Sequence, residues 1–142
     1  MFEYLEKRKV ALVYIPLIIY WILLIIGTTL SAPDVPSFGV SDKFKHFGAY
    51  FGLAVLLSFS LHYQNKNLSL KKYFLTATLL IAAFYGCLDE FHQSFIPGRS
   101  AEFLDWVADS VGAAAGITFV YYLMKILKYS PGNLSKIDQT TQ

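Results

Sequence analysis

VALVYIPLIIYWILLIIGTTL, residues 10–30, carries no charged side chain. A helix of this length, rising ~1.5 Å per residue, covers the ~30 Å hydrocarbon core of a bilayer. Lys7, Arg8 and Lys9 precede it, and the small residues Ser31 and Ala32 follow, as in a cleaved signal peptide. Its apolar core is much longer than the ~7 to 15 residues of such a signal, so the stretch reads as a retained membrane anchor. Pro16 inside it is tolerable if neighbouring helices satisfy the carbonyl it frees.

Three more apolar blocks follow, at about 44–63, 72–93 and 103–127, each with polar residues toward one end. The chain is 55% hydrophobic and only 15% charged, too apolar for an ordinary soluble domain. The fold predicted is an all-α integral membrane protein, a four-transmembrane-helix bundle. One membrane domain fills residues 1–129, and a short polar tail, expected to be disordered, fills 130–142.

Basic residues orient the bundle. Lys7, Arg8, Lys9, Lys66, Lys71, Lys72, Lys125, Lys128 and Lys136 flank one side, and Lys43, Lys45 and Arg99 the other. That imbalance places both termini in the cytoplasm and the protein in the cell's inner membrane as a multi-pass protein. The loops near 31–43, with Pro33 and Pro36, and near 94–102, with Pro97 and Gly98, then face outward. The net charge of +2 is spread over short segments and forms no stripe, so no nucleic-acid partner is expected. Cys87 is the single cysteine and offers neither a disulfide nor a metal pair.

The puzzle is the polar content of DEFHQSFIPGRSAEFLDWVADSVGAAAG, residues 89–116. His46 lies 16 residues from His62, Asp89 17 from Lys72 and Asp109 16 from Lys125. Each therefore sits roughly 24 to 26 Å up its helix, at one shared depth near the outer surface. The polar residues also share faces: Asp42, His46 and Tyr50 at i, i+4 and i+8; Glu90 and Gln93 at i and i+3, beside Asp89; Asp105 and Asp109 at i and i+4. Charges at membrane depth cost about 2.5 to 3.5 kcal/mol each on insertion scales, so they turn inward and pair. GAYFG at 48–52 and GAAAG at 112–116 are small-xxx-small patterns, predicting close packing of the second span on the fourth.

These residues resemble the VanZ-like family of small membrane proteins. The resemblance rests on SDKFKHFGAYFGL, with Asp42, Lys43, His46 and Tyr50, and on LDEFHQSFIPGRSAEFLDWVADSVGAAAG, with Asp89, Glu90, Gln93, Pro97, Gly98, Arg99, Asp105, Gly112 and Gly116. One position departs from the commonest family pattern, because Asp109 stands where asparagine is frequent. The family's founding member is linked to teicoplanin resistance, so the resemblance implies a cell-envelope protein and an effect on glycopeptide susceptibility. It supplies no reaction.

The residues themselves predict a pocket among spans two, three and four, closed by the Pro97-Gly98-Arg99 loop, with Asp42, Lys43, His46, Tyr50, Asp89, Glu90, Gln93, Arg99, Asp105 and Asp109 as binding residues. Arg99, ahead of a helix start expected at Ser100, would hold an anion together with helix N-terminal amides, or would instead pair with Asp89 or Glu90. The expected partner is an anionic membrane lipid or lipid-linked envelope precursor, with a membrane-protein partner as the other option. No catalytic nucleophile, cofactor or assigned metal site is expected. The rival reading is a metal-dependent enzyme acting on a lipid phosphate or pyrophosphate, its carboxylates and His46 or His92 holding a divalent cation. A blander one is a subunit whose polar network only fixes helix register.

Overall fold

A computed structural model describes residues 2–31 and 41–127. Pro33, Pro36 and the polar tail lie outside the described residues. The elements are α1 (Phe2–Lys7), a π-helical turn (Val10–Tyr14), α2 (Ile15–Thr29), α3 (Asp42–Tyr63), α4 (Leu68–Lys72), α5 (Phe74–Gln93) and α6 (Phe103–Ile126). There is no strand among the described residues. Four stretches are long and apolar enough to cross a membrane: Val10–Thr29, Asp42–Tyr63, Phe74–Gln93 and Phe103–Ile126.

Two boundaries differ from the sequence-based expectation. The second span begins at Asp42, which brings Asp42 and Lys43 into its first turn. The third begins at Phe74, because Tyr73 (φ −108°, ψ 31°) interrupts the helix and leaves Lys72 at the end of α4. Asn67 caps α4, its side chain accepting a hydrogen bond from the Leu70 amide at 3.0 Å. Pro16 follows a π-helical turn: the Ile15 amide reaches back five residues to the Val10 carbonyl, so the backbone ahead of the proline is widened.

α3 and α6 form the most closely packed pair, α5 completes a three-helix core, and the first span docks on its side. A Cβ added at Gly112 would run into the Phe47 carbonyl of α3, and one at Gly116 would lie 2.6 Å from the Phe51 carbonyl. The GAAAG segment therefore does bring α6 onto α3 at backbone distance. GAYFG works differently: Gly52 makes room for the Tyr20 ring of α2, and Gly48 faces open space.

α2 is held by Leu17, Tyr20, Trp21 and Leu24. The Tyr20 hydroxyl donates to the Ala49 carbonyl at 2.8 Å, and Trp21 meets Tyr85 edge-on at 5.3 Å between centroids. Its remaining face, with Ile18, Ile19, Ile22, Ile25 and Ile26, is exposed apolar surface suited to acyl chains. Within the core, Ser58 donates to Thr78 at 3.2 Å, and Thr78 donates in turn to the Phe74 carbonyl at 2.8 Å. Neither hydroxyl is left unsatisfied at membrane depth.

Candidate functional site

Alternating helix direction gathers the polar residues at one end: the C-termini of α2 and α5 and the N-termini of α3 and α6. The buried face of each core helix simply continues into this end. On α6 the stripe runs from Met124 through Val120, Gly116 and Gly112 to Asp109 and Asp105; on α5 it runs from Phe74, Thr78, Ala82 and Gly86 to Asp89, Glu90 and Gln93. The charged side chains therefore point into the bundle because the 3.6-residue period carries them there.

At the centre His46 of α3 faces carboxylates from two other helices. Its Nδ1 lies 2.9 Å from Asp109 Oδ1 and 3.8 Å from Glu90 Oε1. Asp109 is 0% and Glu90 7% exposed. Glu90 Oε2 accepts the Glu102 backbone amide at 2.8 Å, fixing the start of α6 against α5. Three buried atoms here, the Tyr50 hydroxyl, Glu90 Oε1 and Asp109 Oδ2, have no hydrogen-bond partner among the described residues.

Lys43 and Lys45 form the outer layer. Lys43 donates to Glu102 Oε2 and to Asp105 Oδ1, both at 2.9 Å, and so ties the first turn of α3 to that of α6. Lys45 pairs with Asp42 one turn away at 3.2 Å. Among the described residues, no lysine or arginine lies within ion-pair distance of Glu90 or Asp109.

Arg99 is placed by a turn in which Gly98 adopts φ 77°, a left-handed conformation that favours glycine. Its guanidinium reaches α2: Nη2 donates to the Gly27 carbonyl at 3.0 Å and Nε to the Leu30 carbonyl at 3.2 Å. Nη1 donates to Gln93 Oε1 at 3.0 Å, and Gln93 Nε2 donates to Asp89 Oδ2 at 3.2 Å. Arg99 thus pairs directly with neither Asp89 nor Glu90; it closes the carbonyl end of α2, where a cation is favoured. The helix start lies at Phe103 and not at Ser100, because Glu102 serves as the N-cap and Glu90 takes its amide. Arg99 is therefore not beside the α6 N-terminus. Arg99→Lys, which cannot reproduce three donors in a planar fork, is expected to lower stability by roughly 1 to 2 kcal/mol in detergent melting. Unchanged melting would remove this clamp from consideration.

A cavity of about 190 Å³ lies between the first span, α3 and α5, with Arg99 at its rim. Leu23, Leu24, Gly27 and Thr28 supply the α2 side; Asp42, Lys45, His46, Ala49 and Tyr50 the α3 side; Asp89 and Gln93 the α5 side. The expected pocket among spans two, three and four differs from this one, because the glycine contact brings α6 against α3 and α6 contributes no lining residue. Sequence reasoning missed Lys45, Ala49 and the four α2 residues. Lys45 stands three residues from Asp42 and could have been flagged, whereas nothing in an uncharged apolar run marks Gly27 and Thr28. Of the residues singled out as binding candidates, Asp42, His46, Tyr50, Asp89, Gln93 and Arg99 line the cavity; Glu90 and Asp109 lie behind His46, and Lys43 and Asp105 join α3 to α6. His92 joins neither group of converging ligand atoms; its Nε2 lies 3.3 Å from Thr29 Oγ1, and it lines a separate cavity beside Asp89.

Four membrane-length helices around an internal polar cluster at one end define a small multi-pass membrane protein. The profile of the VanZ/LLP1 family matches residues 8–125, and the chain belongs to that family. Comparison with curated proteins and with solved structures finds no match.

Proposed function

We propose that the protein binds the phosphate-bearing head of an anionic lipid or lipid-linked envelope precursor in the cavity between the first span, α3 and α5. The observation that carries this reading is the composition of the cavity wall: Lys45 and Arg99 line it at the polar end of the bundle, and Leu23 and Leu24 line it on the apolar first span. A phosphate oxygen accepts from either cation, while the first methylenes of a chain lie along the leucines. The basic-residue imbalance supports an outward-facing cavity, both termini in the cytoplasm and a place in the inner membrane. Holding such a precursor changes how much of it teicoplanin can reach, which connects the reading to the family's association with glycopeptide resistance.

Lys45 is the residue to remove, since among the described residues its one fixed partner is Asp42, on its own helix. Native mass spectrometry of detergent-purified protein with added phosphatidylglycerol or a polyprenyl pyrophosphate is expected to show a lipid adduct. Lys45→Ala should reduce its occupancy by about tenfold, the worth of one charge-assisted hydrogen bond. An adduct of equal strength in a folded Lys45→Ala protein would overturn the reading.

A further inference from the structure

We propose that His46, Glu90 and Asp109 form a binding site for one divalent transition cation, of which Zn²⁺ or Mn²⁺ suits the donors best. One imidazole nitrogen and two carboxylate oxygens from three different helices lie within 4.8 Å of one another, all three residues buried. Ligand atoms on a tetrahedral ion with bonds of ~2.0 to 2.2 Å lie about 3.3 Å apart. The separations of 2.9 Å and 3.8 Å from His46 Nδ1 to its two carboxylates bracket that spacing. Small side-chain shifts therefore suffice to admit an ion.

A cluster of acids alone is no argument for a metal, since paired carboxylates are common. The second observation is Glu90 Oε1. It is buried, faces His46 Nδ1 and has no hydrogen-bond partner among the described residues, while its sister oxygen is fixed by the Glu102 amide at 2.8 Å. That is the arrangement of a metal-binding carboxylate oriented by an outer hydrogen bond, with one oxygen left for the ion. Asp109 is accommodated similarly: Gly86 supplies the space, since a Cβ there would lie 3.1 Å from Asp109 Oδ2.

The alternative grouping of Asp42, His46 and Asp105 is weaker. Lys45 and Lys43 already neutralise its two carboxylates, and Asp42 is exposed. At the inner cluster two buried carboxylates face a single histidine with no lysine or arginine in range, a charge balance that a divalent ion completes on displacing the Nδ1 proton to solvent. Imidazole with carboxylates suits Zn²⁺ and Mn²⁺, whereas Mg²⁺ prefers carboxylates and its own waters. His46 also lines the cavity, which gives the ion a path in.

The test uses the full chain in detergent, stripped with EDTA and then titrated with ZnCl₂ and MnCl₂ without added lipid, so failure of the cavity reading does not bear on it. Calorimetry and elemental analysis of the wild type are expected to give one ion per chain, and the ion should raise the melting temperature. Glu90→Gln should weaken binding at least tenfold, and Asp105→Asn, which removes a Lys43 partner, should leave it unchanged. No stoichiometric ion in the wild type overturns the proposal, as does binding undiminished in both Glu90→Gln and His46→Gln. The wild-type stoichiometry is read without any substitution, so a variant that fails to fold leaves the decision with it.

Discussion

His46→Ala, melted in EDTA, is expected to lose about 3 to 5 kcal/mol of stability, the cost of stranding a buried charge by removing its partner. Asp109 is fully buried, and His46 is its one hydrogen-bond partner among the described residues. Removing the imidazole leaves the carboxylate without that partner and opens a void beside Glu90. The double variant His46→Leu/Asp109→Leu should recover most of the loss, because replacing both members of a buried pair by apolar groups is often close to neutral. This sign pattern separates an ion pair from simple packing. A His46→Ala protein within about 1 kcal/mol of wild type would show that water or another group already satisfies Asp109.

Two glycines that look alike in the sequence should behave in opposite ways. Gly112→Ala places a methyl group against the Phe47 carbonyl, which belongs to the α3 helix and cannot move by itself. The cost should reach or exceed ~3 kcal/mol, the upper end for overpacking, and should appear as loss of monodisperse protein or a sharply lowered melting temperature. At Gly48 nothing lies within 4 Å of an added Cβ. Gly48→Ala is therefore expected to be neutral or to stabilise by about 0.5 to 1 kcal/mol through the backbone entropy of glycine in a helix. Equal melting of the two variants would contradict the α3 to α6 approach.

The same pair shows where sequence reading stops. A small-xxx-small pattern states that two backbones can approach, but not which ones: the α6 pattern meets α3 at Phe47 and Phe51, and the α3 pattern is half spent on a tyrosine from α2. Shared depth and helical period were enough to predict that His46, Asp89 and Asp109 gather at one end. They were not enough to separate Asp109 and Glu90, which meet His46, from Asp105, which goes to Lys43. That choice depends on helix rotation of a few tens of degrees, set by the packing of glycines and aromatic rings far from the charges.

Residues 10–30, the three later apolar blocks and the period of the polar residues by themselves determined a four-span helical membrane protein with its charges turned inward at one end, because bilayer thickness and the cost of unpaired charge in hydrocarbon leave few other solutions. Only the tertiary structure decided that the uncharged first span is a wall of the cavity, that Arg99 closes the carbonyl end of that span, and that His46 lies between two carboxylates. An apolar run carries no mark of which of its backbone carbonyls a distant arginine will reach. Contacts between residues about 70 positions apart are settled by how whole helices pack.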